Sequence, residues 1–360
     1  MKVKRIEEVD KNFAVGGLCG SDSVYTDAFE DPFRIFGLSL AEEKRLYCRL
    51  TQQSLKNFSE PVQYLAWHTS GGRVRFMSDS PFISIKAEIA SNEDMSHMAR
   101  SGSSGFDIYS GSRENKRYIA SVMPLNGSTS LEGIAHAREK AFQEWTINFP
   151  LYNGVKKLFI GLQRDSILDK APEYSIKKPI VFYGSSITQG GCASRPGNSY
   201  PNIISRWLDA DIYNLGFSGS AKGEPEMAHY IAGLDMSAFV MDYDHNAPDV
   251  GHLADTHERF FKIIREAQPL LPIIIISRPD FDKDIEDNKK RREIIYNTYK
   301  NAANSGDQHV YFINGELLFG KENRDSCTVD GCHPNDLGFM RMAEGIYPVL
   351  KQVILSLPGI

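Results

Sequence analysis

Four places in the second half of the sequence carry groups that could do chemistry together. A hydroxyl pair, Ser185-Ser186, follows the apolar run Ile180–Tyr183 and Gly184. Gly219 closes the stretch Asn214-Leu215-Gly216-Phe217-Ser218-Gly219, and Asn246 lies in Asp242-Tyr243-Asp244-His245-Asn246-Ala247. Near the C-terminus stands Asp330-Gly331-Cys332-His333-Pro334. A serine hydroxyl is a poor nucleophile until a neighbouring base takes its proton. A neutral imidazole does this near neutral pH, and a carboxylate on its other nitrogen fixes tautomer and orientation. Asp330 and His333 are three residues apart, so the carboxylate can reach the Nδ1 side of the ring. Pro334 restricts His333 to an extended backbone, which lets the ring project ahead of the final helix. Acyl transfer also needs donors aimed at the developing oxyanion. The N–H of Gly219, the Asn246 amide and the N–H of the nucleophile at a helix N-terminus would supply them. Singly, each piece has a plainer reading: a helix cap, a turn, an Asx-turn. Their order and placement point instead to the parts that serine-based acyl transfer needs.

The elements that must position these groups change character near residue 175. Before it, short runs alternate with Gly, Ser, Asn and Asp clusters. Val62–Trp67, Val74–Met77, Ile83–Ile89, Gly105–Tyr109, Tyr118–Met123 and Glu144–Phe149 read as strands, several with the period of two expected of half-buried ones. Leu131–Ala141 looks helix-like, and its pattern does not settle it. Many short strands with frequent turns favour an antiparallel β-sandwich of jelly-roll type over residues 1–175. From 176 to 360 the texture is α/β. Ile180–Tyr183, Asp211–Leu215, Ala238–Asp242, Ile273–Ser277 and His309–Ile313 read as strands, with helices over Thr256–Ala267, Asp287–Ala303 and Leu337–Leu355. That alternation implies a parallel sheet with helices on both faces, whose ligands sit beyond the carboxyl ends of the strands. All four chemical sites follow predicted strands or precede the last helix.

This set resembles the SGNH (GDSL-like) hydrolase superfamily of esterases and lipases. The first block matches Gly-Asp-Ser-Ile-Thr-x-Gly except that Ser185 stands where Asp is usual. The resemblance implies a flavodoxin-like sheet and Ser186 as the nucleophile. It implies His333 and Asp330 as its partners, and an oxyanion hole from Ser186, Gly219 and Asn246. Asp244-His245-Asn246-Ala247 departs from the usual Gly-x-Asn-Asp, which leaves Asn246 the least secure of these. In the front half, Thr69–Phe76 and Gly105-Phe106-Asp107-Ile108-Tyr109 are similar to the N-terminal domain of a bacterial branch with a Gly-x-Asp-Leu-Tyr signature. Members pair a β-sandwich with the hydrolase, as several carbohydrate O-acetylesterases do. The expected substrate is therefore a small-molecule or oligosaccharide ester, acetyl above all. A lipase or thioesterase for longer chains, and a carbohydrate-binding protein with a decayed site, remain as alternatives.

The remaining candidates are weaker. Arg195, Tyr109 and His245 could contact substrate; the plainer readings are a solvated loop cation, a packed ring and a hydrogen-bonded histidine. His245, His252 and His257 with Asp249 and Asp255 do not share a face convincingly, and HExxH and CxxC spacings are absent, so no metal is expected. The reaction needs no cofactor. Cys327 and Cys332 read as inert thiols, Trp67 as core, and Lys289-Lys290-Arg291-Arg292 as a solvated helix face. Lys plus Arg total 41 against 46 Asp plus Glu, a net charge of -5, which argues against a nucleic-acid partner. The densest apolar run, Leu270–Ser277, is broken by Pro272, so no membrane segment is expected. The charged N-terminus lacks the apolar core of a secretory signal, and five scattered cysteines suit a reducing cytoplasm. A homodimer through the sandwich is possible but nothing demands one.

Overall fold

Alternation along each strand decides the front half. In Phe82–Ile89 the side chains of Ile83, Ile85, Ala87 and Ile89 enter one core while Lys86 faces solvent. The computed structural model describes residues 22–356; the charged N-terminus and Cys19 lie outside the described residues. Ten strands precede residue 175 among the described residues: β1 (Ser23–Asp27), β2 (Arg34–Phe36), β3 (Arg73–Ser78), β4 (Phe82–Ile89), β5 (Phe106–Ser110), β6 (Arg117–Val122), β7 (Ser130–His136), β8 (Gln143–Asn148), β9 (Val155–Gln163) and β10 (Leu168–Lys170). They form two antiparallel sheets, ordered β1-β9-β4-β7 and β10-β3-β8-β5-β6, with β2 added to β3. Phe76, Ile108 and Trp145 of one sheet share a core with Ile85, Leu131 and Ile160 of the other.

Two front-half expectations fail. Glu60–Leu65 is a helix, not the strand predicted over Val62–Trp67. Pro61 suits its first turn, and Val62, Leu65 and Ala66 recur at helical spacing on one buried face. Trp67 lies beyond that helix and is 39% exposed, so it is not core. The ambiguous stretch from Leu131 supplies β7, whose Leu131, Gly133 and Ala135 are buried in strict alternation.

The second half is a parallel sheet of β11 (Ile176–Gly184), β12 (Ala210–Gly216), β13 (Ala238–Asp242), β14 (Ile273–Ile276) and β15 (Val310–Ile313), ordered β12-β11-β13-β14-β15. Both faces are covered. Val181 and Tyr183 point toward helices Pro225–Ala232, Val250–Ala267 and Ile285–Asn304; Ile180 and Phe182 point toward Tyr200–Leu208 and Asp336–Leu355. The chain order reverses around β11, and at such a switch point the strand ends open a crevice. Gly184 is in register with Gly216 of β12 and Asp242 of β13. The segments that follow these three residues therefore emerge side by side.

The two halves are not cleanly divided at 175. Leu40, Leu50, Phe58, Val62, Leu65 and Ala66 pack into the core under the parallel sheet, together with Leu215 and Phe217. The wholly buried Arg49 donates to the carbonyls of Asn214 at 2.9 Å and Gly216 at 2.6 Å, and to Leu65 at 2.6 Å. Its guanidinium lies 4.6 Å from the ring centre of Phe217. Burial pushes this cation down to about 9, since its partners are carbonyls rather than a carboxylate.

Candidate active site

Ser186 begins the short helix Ser186–Gln189 directly after β11. The preceding Ser185 is the cap, its Oγ accepting the N–H of Ile187 at 3.1 Å. Serine and aspartate are both good acceptors at this position, so Ser185 can cap the helix in place of the Asp that the sequence resemblance implied. Ser186 Oγ lies 2.9 Å from His333 Nε2. On the far side of the ring, His333 Nδ1 lies 2.7 Å from Asp330 Oδ2. Asp330 Oδ1 accepts the backbone N–H groups of Cys332 at 2.9 Å and His333 at 2.7 Å, so the loop wraps its own carboxylate. A bridge between Thr328 and Pro334 closes that loop at its base. Partial burial would raise the Asp330 carboxyl, but the His333 ring and these N–H groups outweigh it and hold the group at about 2. It is anionic at neutral pH.

Gly219 lies in the turn after β12 with φ of +66°, a left-handed conformation that favours glycine. A Cβ there would meet nothing within 4 Å, so the turn opens into free space. Its N–H has no acceptor among the described residues. Asn246 ends the turn after β13, and its Nδ2 donates to the carbonyl of Phe217 at 2.9 Å. That bond uses one amide hydrogen, ties the Asn246 turn to the Gly219 turn and leaves the second hydrogen for another acceptor. Beneath the nucleophile, Asp242 Oδ2 accepts from Tyr200 at 2.9 Å and Thr188 at 3.1 Å. Burial pushes this carboxyl up to about 6, against the pull of His245, Tyr200 and Thr188.

The three residues read as candidate substrate contacts are engaged with protein instead. His245 is buried, its Nε2 2.7 Å from Asp280 Oδ1. Burial would raise the Asp280 carboxyl, yet His245, Arg278 and the Cys332 thiol hold it well below the usual carboxylate range. Tyr109 is buried and bonded to Arg195, which also reaches Asp107 at 3.0 Å. Asp107, wholly buried, further accepts from Gly197 N at 2.8 Å and Asn148 Nδ2 at 2.8 Å. The Gly-Phe-Asp-Ile-Tyr signature thus clamps the loop that follows the nucleophile. Glycine is required at 197, because a Cβ would lie 2.5 Å from the Tyr109 hydroxyl and 2.7 Å from Asp107 Oδ2.

The histidines and acids near His245 do not converge. His252 contacts the carbonyl of Lys222, His257 is buried against Thr298, and Asp249 caps its helix. Arg291 corrects the reading of its basic run as a solvated face: it is buried, donating to Asp244 and Asp287. Sequence reasoning missed Arg49, Tyr152 and His97. The Tyr152 hydroxyl donates to the Ser186 carbonyl at 3.1 Å. His97 Nε2 comes within 3.7 Å of Asp330 Oδ2. All three belong to the front half, where no local pattern signals a contact with residues so distant in sequence. Among the described residues no helix is long and apolar enough to cross a membrane.

Residues 177–351 match the GDSL-like lipase/acylhydrolase family, and residues 23–168 match the N-terminal domain of SGNH-hydrolase-type esterases. No curated protein sequence matches. A crystal structure from Bacteroides ovatus described as a GDSL-like lipase is 29% identical, with a TM-score of 0.83 over 92% of this chain and 98% of that one. The salicylyl-acyltransferase SsfX3 of a tetracycline biosynthetic pathway has 18% identity and a TM-score of 0.77 over 94% and 99% of the two chains. An acetyl xylan esterase from the rumen bacterium Butyrivibrio proteoclasticus has 16% identity and a TM-score of 0.59 over 92% and 98%. The two halves of this chain belong to the GDSL-like lipase/acylhydrolase family and to the N-terminal domain that accompanies SGNH-type esterases.

Proposed function

We propose that the protein is a two-domain serine esterase, divided near residue 175, that removes short acyl groups, acetyl above all, from a carbohydrate. The observation that carries this reading is the hydrogen-bond chain from Ser186 through His333 to Asp330, at 2.9 and 2.7 Å. Ser186 Oγ attacks the ester carbonyl while His333 Nε2 takes its proton, and the anionic Asp330 stabilises the imidazolium. The N–H groups of Ser186 and Gly219 and the free Asn246 hydrogen hold the oxyanion. Collapse breaks the ester bond, and His333 returns the proton to the departing alcohol. Water, deprotonated by the same ring, then cleaves the acyl-Ser186 bond and releases the acid. The chain's own residues supply every proton transfer, with no cofactor.

Acetyl on a sugar is supported by analogy: the acetyl xylan esterase shares both halves of the fold. The described cysteines are free thiols, which supports a reducing compartment. Acetate release from a panel of acetylated oligosaccharides, by the wild type and by Ser186→Ala, tests the reading. Release by the wild type alone is expected. Release by both variants would remove Ser186, and a preference for octanoyl over acetyl p-nitrophenyl esters would replace the acetyl reading with a longer-chain one.

A further inference from the structure

Three metal-binding side chains converge beside the candidate base. One ligand atom each of His97, Cys192 and His333 lie within 4.8 Å of one another. His97 belongs to the antiparallel half, Cys192 to the loop after the nucleophile and His333 to the loop before the last helix. Cys192 is held with φ of +75°, a conformation that residues other than Gly, Asn and Asp seldom adopt. Such strain persists only where surrounding structure imposes it. Around a tetrahedral zinc ion, nitrogen and sulfur ligands sit about 3.3 to 3.8 Å apart. Closing from the observed spacing needs about 1 Å of movement, and His97, with its side chain 49% exposed, is free to supply it.

We propose that His97, Cys192 and His333 form an inhibitory site for a borderline-soft divalent cation such as Zn²⁺. His97 Nδ1 is 2.8 Å from Ser96 Oγ. With Nδ1–H donating there, Nε2 keeps its lone pair for the ion. The bond from His333 to Asp330 supplies the carboxylate–imidazole pairing common around bound zinc. On binding, the Cys192 thiol releases its proton to solvent, and sulfur, imidazole and imidazole close on the metal. Water or another small ligand completes the tetrahedron. Whichever His333 nitrogen binds, the base is lost: at Nε2 the lone pair is consumed, at Nδ1 the Asp330 bond is broken.

A second cluster, His245, Asp280 and Cys332, is a poorer site. Arg278 Nε lies 3.5 Å from Asp280 Oδ1 and repels a cation, and His245 already occupies that carboxylate at 2.7 Å. The zinc proposal rests on His333 as base only for its inhibitory effect; binding itself does not.

The test combines inhibition with a direct readout. Zinc is titrated against p-nitrophenyl acetate hydrolysis by the full chain, and cobalt(II) binding is followed through the thiolate-to-cobalt charge-transfer band. Wild type is expected to be inhibited reversibly, with EDTA restoring the rate. His97→Ala and Cys192→Ser should keep basal activity but need at least about tenfold more zinc. Cys192→Ser should lose the band, whereas Cys332→Ser and Ser186→Ala should keep it. Equal zinc sensitivity in wild type, His97→Ala and Cys192→Ser, or a band that survives in Cys192→Ser, would overturn the site. Should wild type lack esterase activity yet show a band that depends on Cys192 and His97, the catalytic reading fails and the metal site stands.

Discussion

The buried carboxylate of Asp107 accepts the backbone N–H of Gly197 at 2.8 Å, joining a strand of the antiparallel half to the loop that follows the candidate nucleophile. The same oxygen accepts Arg195 at 3.0 Å, and the other accepts Asn148 at 2.8 Å. One acid therefore fixes how the loop bearing Cys192 and Arg195 lies over the first turn of the site.

Replacing that acid should be costly. Asp107→Asn would turn an N–H₂ toward a donor on one side or the other, leaving Arg195 or Asn148 facing it. A stability loss of about 2 to 4 kcal/mol is expected from urea unfolding at pH 7. Gly197→Ala, by overpacking against Tyr109, should cost about 1 to 3 kcal/mol. If both variants unfold within 0.5 kcal/mol of wild type (about the scatter of a neutral surface change), the clamp has no energetic weight.

Asp330→Asn separates orientation from charge. The amide can still meet His333 but no longer balances an imidazolium, and it favours the wrong tautomer. A kcat lower by about 10³ to 10⁴ with little change in KM is expected from steady-state hydrolysis of p-nitrophenyl acetate. A loss under about tenfold would leave Asp330 as a loop-forming residue only.

A single variant can tell the proposed oxyanion role of Asn246 from its observed bond to Phe217. If its free hydrogen holds the oxyanion, Asn246→Ala should lower kcat by about 10² to 10³. Were its bond to the Phe217 carbonyl all that matters, the thermal midpoint would fall while kcat changed less than about fivefold.

Asp242 offers a pH signature. Its folded-state pKa of about 6 stands above the ordinary 3.9 or so of the unfolded chain, because burial disfavours the anion. The folded state thus binds this proton more tightly. The stabilisation is fully present below about pH 4 and is lost as pH rises through about 6, a change of roughly 3 kcal/mol. Asp242→Asn should remove it. The difference in unfolding free energy, mutant minus wild type, should therefore grow between pH 4 and 7; a difference independent of pH would show that Asp242 titrates alike folded and unfolded.

What sequence makes legible here is what local spacing determines. The parallel strands announce themselves as short apolar runs, and Ser186, Gly219 and Asn246 each lie just past one, so the sheet's register brings them together. Asp330 and His333 are visible because three residues separate them. The helix over Glu60–Leu65 was hidden because a short apolar run serves strand and helix alike; only Pro61 hinted at the answer. Arg195 and Tyr109 look free in sequence, since nothing local shows that a carboxylate from another strand waits for them. His97 and Arg49 are harder still. Arg49 bonds carbonyls of β12 and His97 approaches the Asp330 loop, relationships that exist only after the sheets are packed.

The apolar side chains that Leu50, Val62 and Leu65 lend to the layer beneath the parallel sheet have an evolutionary consequence. Recombination at the junction between the halves would strand that strip against a surface not shaped for it. A front half exchanged for another would have to bring an equivalent apolar strip, so the two surfaces must change together.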